Sequence, residues 1–286
     1  MKPVIIKRIP LDHVLSHEKI LYNTNNHPYS DTELKPPDYR EIIDLGNTKN
    51  WIDKFHKDNY KTVVLDKYDL NWMEKALQIG VNTRKFSHLF DDELINTCKK
   101  YEIPSNNNNN NWFIRTDSVS LKEGMYGIGP YNSFENIIKS MVSTTPGHSC
   151  FKPNDESLTI YFMEWLNMDP NKEFRIFVFQ NEITAISVQH LYNINHWLNT
   201  KSDLEIEQIV HKILDYFDKN IKEKMLYMTN YVMDLALIGT DETPYFIEPN
   251  SFGKCYAAGS SLYHWIYDHD TLHESDSIEF RYVNEY

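Results

Sequence analysis

Long apolar runs are missing from this sequence: none approaches the roughly 20 residues that a membrane-spanning helix needs. Its start shows neither the basic segment nor the apolar core of a signal peptide, so a cytoplasmic, non-membrane protein is expected. Cysteine is scarce. Cys98, Cys150 and Cys255 are odd in number, widely separated and in no Cys-x-x-Cys arrangement, which argues against a disulfide framework and a zinc site and for buried thiols. Basic residues are outnumbered, 29 Lys and Arg against 41 Asp and Glu, for a net charge of −12. Non-specific binding to nucleic acid or an anionic membrane needs the opposite balance, so a basic protein partner or a metal-shielded polyphosphate fits better. The Gly-x₄-Gly-Lys-Ser/Thr phosphate loop, the Gly-x-Ser-x-Gly elbow and a Cys/His nucleophile pairing are all absent.

What is present is the material of a packed globular protein. The chain has 286 residues, 41% of them hydrophobic, with 19 Tyr, 14 Phe and 6 Trp. That suits one large domain or two small ones in close contact. Residues 1 to about 50 are polar and interrupted by Pro28, Pro36 and Pro37, and read as an arm or irregular cap. Lys61–Leu65 reads as a buried strand, and Asp69–Leu77 as a helix ending at Gly80. These place an N-terminal arm and a small α/β lobe in residues 1–105. The six-residue run Asn106–Asn111 cannot offset its ordering entropy by burying apolar surface, and is expected to be a mobile loop at a lobe boundary.

Residues 106–286 then carry strands at Trp112–Thr116, Thr159–Leu166, Glu173–Phe179 and Ile183–Val188, with a helix over Glu135–Val142. Leu204, Ile206, Ile209, Val210, Ile213, Leu214, Phe217 and Ile221 recur at helical spacing behind Asp203 as N-cap, predicting an amphipathic helix on a sheet. No repeat is visible, and the order of elements implies an α+β sheet covered on one face.

The most telling segment is the apolar pair Tyr231–Leu237 and Tyr245–Asn250 around the turn-prone Gly239–Pro244, an expected antiparallel hairpin. Glu248 and Asn250 share a strand face, and an odd-numbered loop would set Asp234 opposite Glu248 and Val232 opposite Asn250. Adjacent carboxylates repel unless a cation lies between them, and an all-oxygen set suits Mg²⁺, with Mn²⁺ the alternative. The same acids could equally mark strand ends.

Arg115 on a strand, followed by Ser118, Ser120, Lys122 and the chain's densest glycine stretch, offers the cations, hydroxyls and free amides a triphosphate requires. A solvated charged turn is the other reading. Glu173 and Arg175 face away from Phe174, Ile176 and Val178, either to counter phosphate charge or as a structural ion pair. Glu164, Trp165 and Leu166 end a strand where backbone groups could read an adenine edge. His13 with His17, and His269 with His273, sit four apart but lack a third ligand, which points to solvated or capping roles.

Four segments in order resemble the cell division cycle protein 123 family, a divergent branch of the ATP-grasp proteins. They are Ile114–Gly124, Leu158–Pro170 with Glu173–Val178, Ala185–Ser187 with Tyr192, and Asp234 with Ile247–Gly253 and Ser261–Trp265. The last stretch is similar to the family's closing helix. The resemblance implies an ATP-grasp-like fold of two α+β lobes clamping a nucleotide, with ATP and Mg²⁺ as cofactors. It implies that Asp234, Glu248 and Asn250 bind the metal and that Arg115 and Arg175 hold phosphates. Ser120, Lys122 and Glu173 belong to the same phosphate region, and Glu164, Trp165 and Leu166 to the adenine hinge. Arg115 stands where the family has Lys, and Glu248 where it usually has Asp; both replacements keep phosphate and cation binding chemically feasible. The function implied is assembly-chaperone action on the γ subunit of translation initiation factor 2. The alternative is an ATP-grasp ligase or kinase that transfers the γ-phosphoryl group.

Overall fold

The structure is a computed structural model that describes residues 2–16, 35–105, 111–152, 154–256, 259–274 and 276–285. Pro28, His17 and Asn106–Asn110 of the expected loop lie outside the described residues. The chain forms two compact units, one of residues 1–46 and 168–286, the other of residues 47–167. A boundary at 105/106 falls inside the second unit.

The first unit opens with β1 (Val4–Pro10), α1 (Leu11–Leu15) and α2 (Tyr39–Leu45). The second contains α3 (Thr48–His56), β2 (Tyr60–Asp66), α4 (Lys67–Thr83), α5 (Asp91–Lys100), β3 (Trp112–Arg115), α6 (Phe134–Val142) and β4 (Ser157–Glu164). The chain then returns to the first unit with β5 (Glu173–Phe179), β6 (Glu182–Val188), α7 (His196–Asn199) and α8 (Asp203–Tyr216). β7 (Tyr231–Ile238), β8 (Thr243–Ser251), α9 (His269–His273) and β9 (Ile278–Asn284) complete it. The class is α+β, as the sequence implied.

In the second unit β2, β4 and β3 form a three-stranded sheet, in that order. Its core gathers Trp72, Met73, Ile137, Ile138, Ile160 and Phe162 between the sheet and α4, α5 and α6. β2 was expected to be buried; it is an edge strand, with Val64 52% exposed and only Leu65 fully covered. A short apolar run does not say which side has a neighbour. Helix α4 also runs past Gly80 to Thr83, where Arg84 closes it in the left-handed conformation at φ 58°. Gly80 serves packing instead: a Cβ there would lie 1.8 Å from the Val142 carbonyl oxygen, so the missing side chain lets α4 press against the end of α6.

The first unit is built on a six-stranded sheet ordered β1-β9-β6-β5-β7-β8. β1, expected to be part of an irregular arm, pairs in parallel with β9 over its whole length. The turn between β5 and β6 has two left-handed residues, Gln180 at φ 50° and Asn181 at φ 60°. That geometry matches strand twist, and Asn accepts it. One sheet face is apolar: Phe174, Ile176, Met233, Leu235 and Phe280 are all fully buried. Helix α8 supplies Ile206, Val210 and Ile213 to the same core. Its N-cap is Ser202, not Asp203: Ser202 and Glu205 form a reciprocal capping box, which stabilises the first turn more than a lone Asp would. Leu204, counted with the apolar stripe, is 64% exposed, whereas Ile206 in the same turn is fully buried.

Candidate functional site: a polar row across the large sheet

β7 and β8 pair antiparallel, with Asp234 opposite Glu248 and Val232 opposite Asn250. The expected register is present, but its cause differs. The turn has four residues, 239–242, since Ile238 pairs with Thr243. An even turn alone would leave Glu248 on the apolar face. A bulge between the Leu235–Phe246 and Asp234–Glu248 pairs inserts Ile247 and returns Glu248 to the face of Asp234.

Asp234 is also paired with Arg175 on β5, Arg175 with Ser187 on β6, and Ser187 with Arg281 on β9. Arg281 in turn faces Lys7 on β1. Because side chains alternate, these residues form one polar row, Glu248, Asp234, Arg175, Ser187, Arg281 and Lys7, across all six strands. Arg175 and Asp234 are 5% and 4% exposed, so their charges are removed from water. Arg175 Nε and Nη2 donate to the two Asp234 oxygens at 2.9 and 2.8 Å, and Nη1 donates to the Ser260 carbonyl at 2.8 Å. Burial works against the Arg175 charge, but the charge and hydrogen bonds of Asp234, with Glu248 adding to the field, raise the guanidinium above its ordinary pKa. Gln189 Nε2 reaches the same Asp234 oxygen at 3.5 Å.

Both readings of Glu173 and Arg175 rest on this face. In the protein alone Arg175 is an ion pair, and every nitrogen of its guanidinium is engaged. Glu173 lies half-buried at the start of β5, opposite Ala236. Asn250 is half-buried two residues beyond Glu248, and its Nδ2 is a buried atom with no hydrogen-bond partner among the described residues. Since the two ends of an amide are interchangeable by a half-turn, this orphaned group can equally present its oxygen. Two carboxylates and an amide on neighbouring strands form an all-oxygen donor set. Chemically the set suits Mg²⁺. Among the described residues, no group of three or more His, Cys, Asp or Glu is placed so that it could hold a metal ion. The His269 and His273 rings stack at 4.0 Å, and His273 Nδ1 donates to the His269 carbonyl, so this pair packs instead of opening toward an ion.

The second unit holds the remaining candidates. Arg115, 3% exposed, donates from Nε to Thr48 Oγ1 at 3.0 Å and lies over the Trp51 ring at 4.8 Å. Thr48, at the start of α3, is anchored to the turn after β3 through the Thr116 carbonyl at 2.6 Å and its own amide on the Asp117 carbonyl at 2.8 Å. Nothing in the spacing of Thr48 and Trp51 announces this contact with Arg115, 67 residues away. Ser120 is half-buried and bridges Arg115, while Lys122 is exposed in the single turn Leu121–Glu123. Glu164 ends β4 opposite Trp112. The Trp165 amide already donates to the Asn111 carbonyl at 3.3 Å, so a nucleobase would depend on other backbone groups of Trp165 and on Leu166, both half-buried.

The profile of the D123 family matches residues 134–286, more than half of the sequence. The chain belongs to the D123 family. The matched region contains Glu164, Trp165, Leu166, Glu173, Arg175, Asp234, Glu248 and Asn250, whereas Arg115, Ser120 and Lys122 precede it. Over 187 residues the chain is 28% identical to a CDC123-like protein of Acanthamoeba polyphaga mimivirus, a match covering 60% of this chain and 55% of that relative. It therefore spans about half the length of the curated relative. The fold is similar to that of C-terminally truncated Cdc123 from Schizosaccharomyces pombe, with TM-score 0.57, 18% identity, and coverage of 86% of this chain and 97% of that one. A second Cdc123 structure from the same organism gives TM-score 0.52 at 15% identity with the same coverage. These likenesses show a D123-type α+β fold, with which an ATP-grasp-like architecture is consistent. Among the described residues of this family member, no helix is long and apolar enough to cross a membrane.

Proposed function

We propose that this chain binds ATP with Mg²⁺, or Mn²⁺ in its place, and acts as an assembly chaperone of the Cdc123 kind. Its partner would be the γ subunit of translation initiation factor 2 or another protein. The observation that carries the reading is the row Glu248, Asp234, Arg175, which places two carboxylates and a guanidinium side by side on a buried face. Asp234, Glu248 and Asn250 would hold the metal, which would neutralise the nucleotide's phosphate charge. Arg175, Arg115, Ser120 and Lys122 would meet the phosphates, Glu173 would orient Arg175, and Glu164, Trp165 and Leu166 would hold adenine. The net charge of −12 favours a protein partner over a polyanionic acceptor.

Calorimetric titration of ATP with and without Mg²⁺ tests the site. The expected result is Mg²⁺-dependent affinity in the wild type and loss of that dependence in Asp234→Asn. Equal affinity with and without Mg²⁺ in the wild type would refute it. Formation of ADP only in the presence of one member of an acceptor panel would move the assignment to a ligase or kinase. Capture of the γ subunit by the purified chain would support the chaperone.

A further inference from the structure

The sequence carries the tripeptide Glu-Phe-Arg twice, at Glu173–Arg175 in β5 and Glu279–Arg281 in β9. In both, Phe enters the apolar core, with the Phe174 and Phe280 rings 5.9 Å apart, and Arg joins the polar row on the opposite face. Each arginine uses Nη1 to hold a carbonyl of one short segment: Arg175 holds Ser260, and Arg281 holds Leu262, both at 2.8 Å. Between them the Leu262 amide donates to Ser187 Oγ at 3.0 Å. Residues 260–262 are thus tied at three successive members of the row, on β5, β6 and β9. Gly259 begins the segment at φ 92°, and a Cβ there would lie 2.1 Å from Arg175 Nη1.

We infer that residues 259–262 form a strap that positions the Arg175 guanidinium, and that a nucleotide phosphate releases the strap at Ser260. This rests on the ATP reading above. The guanidinium has three engagements, and they differ in strength. Two are ion-paired bonds to the Asp234 carboxylate, charged on both sides, while the third goes to a neutral carbonyl. An anionic phosphate oxygen arriving at Arg175 therefore displaces the Ser260 carbonyl most readily. The Leu262 end stays fixed, because Arg281 is itself held by Asp268 at 2.6 and 3.0 Å and by Glu279 at 2.6 Å. Ligand occupancy on the sheet becomes a local opening of the strap.

Hydrogen exchange of the amides of residues 259–263, measured with and without ATP and Mg²⁺, reads this directly. Faster exchange at Ser260 and Ser261 on nucleotide addition is expected, with Leu262 unchanged. ATP binding with unaltered exchange would overturn the strap and leave the ATP reading intact. Absence of ATP binding by calorimetry would overturn both. A paired substitution tests positioning separately. Gly259→Ala and Gly253→Ala impose comparable backbone strain, at φ 92° and 115°, but a Cβ at Gly253 comes no nearer than 3.4 Å to any neighbour. Gly259→Ala is expected to weaken ATP–Mg²⁺ binding by about tenfold or more, the worth of one charged hydrogen bond, and Gly253→Ala by far less. Equal losses in the two would refute a positioning role.

Discussion

Arg175 and Arg281 occupy equivalent places in identical tripeptides, yet their surroundings differ in kind. Arg281 is neutralised twice over, by Asp268 from the loop before α9 and by Glu279 of its own strand, which also receives Lys7 at 2.6 Å. Arg175 takes its carboxylate from β7, the strand that also borders Glu248. One station closes on itself; the other shares its acid with the candidate metal ligands. Local sequence sets which face an arginine occupies, and the partner brought by the rest of the chain decides whether its charge is matched within its own station or shared with a neighbouring acid.

The largest test of this contrast is removal of each guanidinium. Arg281→Met leaves Asp268 and Glu279 without their buried cation, and a loss of about 3–5 kcal/mol is expected in urea unfolding. Arg175→Met is expected to cost a similar amount. Millimolar Mg²⁺ should stabilise Arg175→Met more than Arg281→Met, since only the former frees both Asp234 oxygens from the guanidinium and adds them to the Glu248 and Asn250 donors. Equal response to Mg²⁺ would erase the distinction. Next in size, Glu279→Gln weakens two charged contacts on a residue 5% exposed and should cost about 1–3 kcal/mol. Glu173→Gln, on a half-buried residue facing Ala236, should cost under about 1 kcal/mol in the same measurement. Ser187→Ala removes the tie midway between the arginines, with an expected loss of about 1 kcal/mol.

The smallest effect is one of pH. His273 packs edge-on to Phe179 and Phe252, at 5.0 and 5.1 Å, in the aromatic cluster beside the strap. Burial, with the nearby charge of His269, lowers its pKa below the ordinary 6.5, against the opposing bond to the His269 carbonyl. The folded state then binds a proton less readily than the unfolded one. Its contribution is intact above pH 6.5 and declines as pH falls from there through the folded pKa. His273→Phe should flatten the stability profile in that window, and an unchanged slope would remove His273 from the account.

Much of the polar row was legible because its signals are local. Acids interrupting apolar strands mark Asp234 and Glu248, and alternation places Arg175 opposite Phe174. Ile247 shows the limit: an odd turn alone would give the observed register, whereas here a bulge inside β8 corrects an even one. Partners supplied from afar were not visible. Ser260 meets Arg175 across 85 positions, and β1 finds β9 at the opposite end of the chain. The second Glu-Phe-Arg was present in the letters, but no repeat was visible at the level of whole elements. The segment Ser261–Trp265, expected to be helical, is instead non-helical. Its backbone groups bond to Ser187, Arg281 and Asp268, and so are withdrawn from an intrahelical ladder.

Gly259 offers a simple means of sorting other chains that adopt this architecture. A position with a left-handed backbone, where a Cβ would meet a guanidinium held by Asp234, takes a side chain only if that guanidinium moves. A chain with alanine or anything larger there has given up this seat for its arginine, whatever else of the scaffold it retains. On the reading proposed above, that one letter would separate chains able to seat the arginine in this way from chains that keep only the shape.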